Sequence, residues 1–110
     1  QLLKDTPLQL PVTEPGFEPA TNLFVVRTKH RDALKAYLQQ QQIASGIHYP
    51  TPIHQMPAYQ SLPWAQHGLP EAEALSAEIL SLPLWVGITE AQVTRICNVV
   101  YRFFDELNGN

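Results

Sequence analysis

The sequence predicts a small α+β layer, with helices packed on an antiparallel or mixed sheet of about three strands. Three observations carry this prediction: the apolar, strand-forming run "NLFVV" from Asn22 to Val26, a second apolar run "ILSLPLW" from Ile79 to Trp85, and a stripe of apolar residues at helical spacing after Thr89. At 110 residues the chain can build one domain with a real core and is too short for two.

Taken in order, the opening "QLLKDTPLQLPVTEPGFEP" is interrupted by Pro7, Pro11, Pro15 and Pro19, so no helix can run through it. Residues 1–20 therefore read as an extended connection into the domain proper, residues 21–110, with an edge strand at Leu8–Leu10. "NLFVV" reads as a mostly buried strand. Asp32 to Ile43 follows as a helix with Ala33, Leu34, Tyr37, Leu38 and Gln41 on one face, Thr28 as its cap and Ser45–Gly46 as its stop. A short helix runs from Pro70 to about Glu78. Pro70 suits its first position, and Glu71 and Glu73 suit its positive end. "ILSLPLW" is a strand ended by Pro83. In the last helix Thr89 and Gln92 form a capping box, and Ile88 and Val93 occupy the staple positions. Val93, Ile96, Cys97, Val100, Phe103, Phe104 and Leu107 make its buried stripe.

Composition narrows the function classes. Charged residues make up only 15% of the chain, and there are ten prolines, which suggests that a partner subunit or another domain covers part of the surface. The net charge is -3, and no basic cluster exceeds "RTKHR", which argues against a nucleic-acid or anionic-membrane partner. No stretch has the continuous apolar length of a membrane span. The single Cys97 excludes an internal disulfide and fits a reducing, cytoplasmic compartment. Because the chain starts at Gln1 without an initiator methionine, it reads as processed or cut from something larger.

The stretch "GIHYPTPIHQMPAY", Gly46 to Tyr59, concentrates the polar aromatic chemistry. Pro50 and Pro52 push Tyr49 and Thr51 toward extended geometry, so His48 to His54 reads as a stiff rod with both histidines on one side. At ~3.1 Å per residue they stand roughly 19 Å apart, too far to share one zinc ion, and no metal site is expected. Ser45 lacks a nucleophile-elbow setting, no aspartate is placed to orient either histidine, and Cys97 lies on the buried stripe. Lys4, Lys29 and Lys35 have polar neighbours unsuited to a Schiff base. Binding remains: His48, Tyr49 and His54 can donate to ligand hydroxyls or phosphates from a preorganised segment. The other reading, the one favoured on the residues alone, has Tyr49 capping the core and the histidines serving backbone carbonyls. Asn22 orients a ligand or caps a turn. Arg27 and Arg31 form an anion site or a solvated charged end. Tyr59, Trp64 and Trp85 form an aromatic patch or seal a core edge.

"NLFVVRTKHRDALKAYL", "GIHYPTPIHQMPAY" and "LPEAEALSAEILSLPLWVGITEAQV" together resemble the carboxyl-terminal part of the DegT/DnrJ/EryC1/StrS sugar aminotransferases, in matching order from about Leu8 to Phe104. The resemblance implies the small domain of an aspartate-aminotransferase-type fold. It implies a homodimeric parent that uses pyridoxal phosphate to move an amino group from glutamate to a nucleotide-linked keto sugar. The Schiff-base lysine and most cofactor contacts belong to the family's larger, earlier domain, so this chain alone is expected to carry no cofactor and no activity. The resemblance puts His48 and Tyr49 on the sugar-nucleotide side of the cleft, with His54 close behind. Where the family commonly has a histidine before "LFVV", this chain has Asn22. The alternatives are a non-catalytic nucleotide-sugar-binding or interaction domain and, third, a regulatory relative.

Overall fold

Two short strands far apart in sequence form the frame of the computed structural model, which describes residues 2–109. Strand β1 (Phe24–Arg27) pairs antiparallel with β2 (Ile79–Leu82), with Val26 opposite Leu80 and Val25 opposite Ser81. Between them lie helix α1 (Arg31–Gln40), two 3₁₀ turns (Ile53–Gln55 and Pro63–His67) and helix α2 (Pro70–Glu78); helix α3 (Glu90–Leu107) ends the fold. None of these helices is long and apolar enough to cross a membrane.

The α+β class is as expected, but the described residues form a two-stranded sheet rather than one of three strands. The missing edge strand is reduced to a single bridge, in which Gln9 exchanges both backbone hydrogen bonds with Arg27 at 2.9 and 3.0 Å. An antiparallel edge pairs every second residue. The next candidates on either side of Gln9 are Pro7 and Pro11, which have no N–H to offer. On the opposite edge Gly46 bridges Ser81 in the same way.

The pleat sends Val26, Leu80 and Leu82 to one face, where α1 and α3 cover them. Val26, Leu34, Leu38, Leu80 and Val100 are essentially fully buried, each contributing about 2 kcal/mol of transfer free energy. The stripe of α3 appears as expected through Ile96, Cys97, Val100, Phe103 and Phe104. It gains Val99, which is buried, and loses Leu107, which is exposed beyond the sheet. The capping box forms: Gln92 N–H donates to Thr89 Oγ1, and Thr89 N–H donates to Gln92 Oε1.

The lead-in before β1 has two parts. Leu3 and Leu8 are buried in the core, whereas residues 11–22 are exposed. This exposed segment turns at Glu14–Phe17 with Gly16 at φ 87°, a conformation that Pro15-Gly16 allows. It helps raise the radius of gyration to 16.1 Å, above the ~13 Å of a compact chain this size.

Helix α1 also ends earlier than its sequence pattern suggests. Gln42 adopts a left-handed φ of 58°, and its N–H reaches Gln39 O while Ile43 N–H reaches Leu38 O. This is a Schellman stop with glutamine where glycine usually sits, so Ser45–Gly46 is not needed to end the helix. At the other end the cap residue is His30, with Thr28 two residues upstream accepting from His30 N–H through Oγ1. Arg95 Nη2 donates to Gln41 O, and Tyr37 Oη to Glu106 Oε1, tying α1 to α3.

Gln42→Gly should stabilise the fold. A left-handed non-glycine residue costs ~1–2 kcal/mol, and glycine adds ~0.5–1 kcal/mol of unfolded-state entropy. The expected net gain is about 0.5 kcal/mol, read as a higher urea midpoint at unchanged slope. A lower midpoint contradicts the assignment of this turn.

Candidate functional site

The site is built on the sheet face opposite the helices. In β2 the apolar run is broken by one polar residue, Ser81, which alternation places away from Leu80 and Leu82. Ser81 is only 4% exposed, so its hydroxyl needs a partner. That partner is His48, whose Nδ1 lies 2.9 Å from Ser81 Oγ. The backbone approaches in parallel, since Ser81 N–H donates to Gly46 O and Gly46 N–H to Ser81 O. A Cβ on Gly46 would stand 2.8 Å from His48 Cε1, so the ring lies directly over the glycine.

The histidine-proline segment is not the stiff rod that its prolines suggest. It bends at His48, Pro50 and Thr51 and enters a 3₁₀ turn at Ile53. Proline fixes φ and leaves ψ free, and the two histidines pull the segment toward different elements. His54 is 4% exposed and donates from Nε2 to Glu73 Oε1 on α2, at 2.8 Å. Glu73 Oε1 also accepts from Leu69 N–H at 3.0 Å, so one carboxylate fastens both the loop and the start of α2. His54 Nδ1 has no partner among the described residues. With Nε2 donating, a neutral ring leaves a lone pair unsatisfied there rather than a proton, the less costly deficit.

Tyr49 is 78% exposed, its ring edge-on to that of His48 with centroids 6.3 Å apart. It does not cap the core. The histidines meet side chains, not the backbone carbonyls of the alternative reading. Of the sequence-predicted residues, His48 and Tyr49 therefore stand together at the surface, and His54 is enclosed behind them. Asn22 sits in the exposed lead-in and makes no side-chain hydrogen bond among the described residues.

The arginines are neither a free anion site nor a solvated end. Arg27 pairs through Nε with Glu78. Arg31, its side chain 11% exposed, donates from Nη1 to Ser76 O and Ile79 O at the end of α2. Tyr59 and Trp64 form a tilted exposed pair, while Trp85 contacts no aromatic ring among the described residues. Cys97 is buried, and desolvation pushes its thiol up, away from thiolate chemistry. It lines an apolar hollow of about 270 Å³ with Leu10, Phe24, Leu82 and Ile88. The hollow lies on the core side, away from the histidines, and offers no converging polar groups.

The molecule is thus a two-stranded α+β body with a histidine-tyrosine loop anchored to its sheet. The chain belongs to the DegT/DnrJ/EryC1/StrS aminotransferase family, whose model it matches over residues 1–101. It is 35% identical to a dTDP-3-amino-3,4,6-trideoxy-alpha-D-glucose transaminase of Streptomyces venezuelae, over 90% of this chain and 26% of that protein. It is 45% identical to the erythromycin biosynthesis sensory transduction protein EryC1 of Saccharopolyspora erythraea, over 74% of this chain and 23% of that one. The fold is similar to S. venezuelae DesV, crystallised with a ketimine intermediate, at a TM-score of 0.86 and 36% identity over 93% of this chain and 28% of that one. The chain thus spans about a quarter of the length of these relatives.

Of the groups in the site, Glu73 has a resolved protonation preference. It is held below its ordinary 4.5, first by the hydrogen bond from His54, then by Leu69 N–H, against a smaller opposing effect of desolvation. A depressed carboxylate contributes stability that is complete above its unfolded pKa and lost as pH falls through its folded value. Glu73→Gln should therefore be less stable than the parent at about pH 6, and the gap should shrink as pH falls below the ordinary carboxylate value of 4.5. Urea melts across that range measure it; a gap independent of pH contradicts the ionised Glu73 clamp.

Proposed function

We propose that this chain is the carboxyl-terminal small domain, residues 21–110 entered through residues 1–20, of a pyridoxal-phosphate-dependent nucleotide-sugar aminotransferase. The whole protein moves an amino group from glutamate to a keto sugar, as a homodimer with its larger domain. Family membership supports this reading, as do relatives named for transamination of dTDP- and UDP-linked sugars.

The observation that carries the site assignment is the pairing of an anchored ring with an open one. His48 is fixed on Ser81 while Tyr49 beside it is 78% exposed. Such a pair offers hydrogen bonds to a sugar nucleotide at low ordering cost. His54 supports the loop from within through Glu73. Asn22 stays the weaker candidate.

The described residues do not by themselves fit pyridoxal phosphate. Lys4 and Lys29 are exposed and Lys35 is half-buried on α1; none lies in an enclosed apolar cavity. No step of the transfer is assigned to this chain. Its part is to bind and orient the sugar nucleotide against a cofactor held elsewhere.

In the full-length enzyme, His48→Ala and Tyr49→Phe should raise KM for the nucleotide sugar about tenfold, the worth of a lost hydrogen bond, with the bound-cofactor spectrum unchanged. Unchanged KM in both variants refutes the site. The 110-residue chain alone should lose all pyridoxal-phosphate absorbance on dialysis, and a band that survives refutes the division of labour. A second reading, a non-catalytic binding domain, draws on the relative named as a sensory transduction protein. Calorimetric binding of nucleotide sugars by a full-length protein that turns none over supports that reading instead.

A further inference from the structure

We propose that Ser81 and Gly46 are a positioning pair that holds His48 as a single tautomer, with its proton on Nε2. The ring then presents one donor and no acceptor to a ligand. This rests on His48 being a ligand-facing residue, and it adds which atom of the ligand the ring can read.

The assignment follows from counting partners. Ser81 is 4% exposed, and its hydroxyl has one hydrogen-bond partner among the described residues, His48 Nδ1 at 2.9 Å. A buried hydroxyl carries one proton and two lone pairs. Were Nδ1 protonated, it would occupy a lone pair of Ser81 and leave the hydroxyl proton with no acceptor. Were Nδ1 bare, Ser81 O–H donates to it and no donor is orphaned. Unpaired donors are the rarer deficit in folded proteins. Ser81 O–H therefore points at Nδ1, and the ring proton sits on Nε2.

Gly46 does the remaining work by being small. Its missing Cβ is the space taken by His48 Cε1, and any side chain there drives the ring off Ser81. The backbone bridge between Gly46 and Ser81 makes this spacing rigid, because both residues are fixed to each other by their own amides at 3.0 and 2.7 Å. Nε2 makes no hydrogen bond among the described residues, on a histidine that is exposed overall. A ligand atom placed there must be an acceptor: a carbonyl, ring or phosphate oxygen. A hydroxyl can meet it only through its oxygen.

The test reads the ring directly and needs no substrate. Long-range proton–nitrogen correlation spectra of the ¹⁵N-labelled protein are recorded at about pH 8.5, where an ordinary imidazole is neutral. The expected result is a pure Nε2–H pattern for His48. Ser81→Ala should give the averaged signals of a tautomer mixture, Ser81→Thr should restore the single form, and Gly46→Ala should displace the ring signals with Ser81 intact. A protonated Nδ1 in the parent overturns the inference, as does the same pattern in parent and Ser81→Ala.

A kinetic arm separates this idea from the reading it rests on. Ser81→Ala should raise KM for the nucleotide sugar roughly fivefold, with kcat less affected and recovery in Ser81→Thr. If His48→Ala raises KM and Ser81→Ala does not, the positioning role fails and the site stands. If neither moves KM, the ligand site itself fails while the spectra still decide the tautomer.

Discussion

The antiparallel pairing of β1 with β2 is the constraint from which the rest hangs. Strands of four residues cannot persist alone in water. This pair survives because Val26, Leu80 and Leu82 are clamped under α1 and α3, where apolar burial offsets the ordering of the long intervening chain. Once Val26 meets Leu80, Arg27 lies opposite Ile79, so the start of α1 and the end of α2 are brought together at the same end of the ribbon. Arg31 locks that geometry by donating to carbonyls at the end of α2, and Arg27 does so by pairing with Glu78.

The same pairing creates the face on which His48 is anchored. A two-layer fold with helices on only one side leaves the other side of its sheet without an apolar partner. Here that side carries Val25 and Ser81, and the chain covers it with a loop rather than a helix. A loop cannot supply a continuous hydrogen-bond ladder, so it is held at points: the Gly46 bridge, His48 on Ser81 and His54 on Glu73. Each anchor satisfies a polar atom that burial would otherwise penalise by ~1–3 kcal/mol. Anchoring and polar satisfaction are one event.

Local chemistry made much of this legible beforehand. The capping box at Thr89, the boundaries of α2 at Pro70 and Glu78, and the stripe of α3 all rest on residues within a few positions of each other. What escaped depends on distant partners. Ser81 and His48 are 33 positions apart and His54 and Glu73 are 19 apart, so no periodicity connects them. One signal did exist: a serine inside "ILSL" must be satisfied if the strand is buried, and a nearby histidine was the obvious donor-acceptor to seek. The expected rod failed because a proline fixes one dihedral of its own residue, whereas side-chain anchors decide where the chain goes next. The third strand failed because Pro7 and Pro11 fall on the paired positions, a count the sequence allowed but composition alone does not suggest.

From Gly46 to the start of α2 the chain is held at a few points only. His48 and His54 are fastened inward, while Tyr49, Ile53, Tyr59, Leu62, Trp64 and Leu69 are left exposed. Tyr59 and Trp64 among them pack as a tilted pair, so part of this exposed apolar surface is contiguous. In the ligand site proposed above, the His48 anchor would fix where that ring's donor points, while nearby apolar side chains would exclude water once covered. The low charge of the sequence and its exposed lead-in at residues 11–22 fit the same picture. The loop's shape is therefore set by the sheet through Gly46 and His48 and by α2 through His54, while Tyr49 is left open.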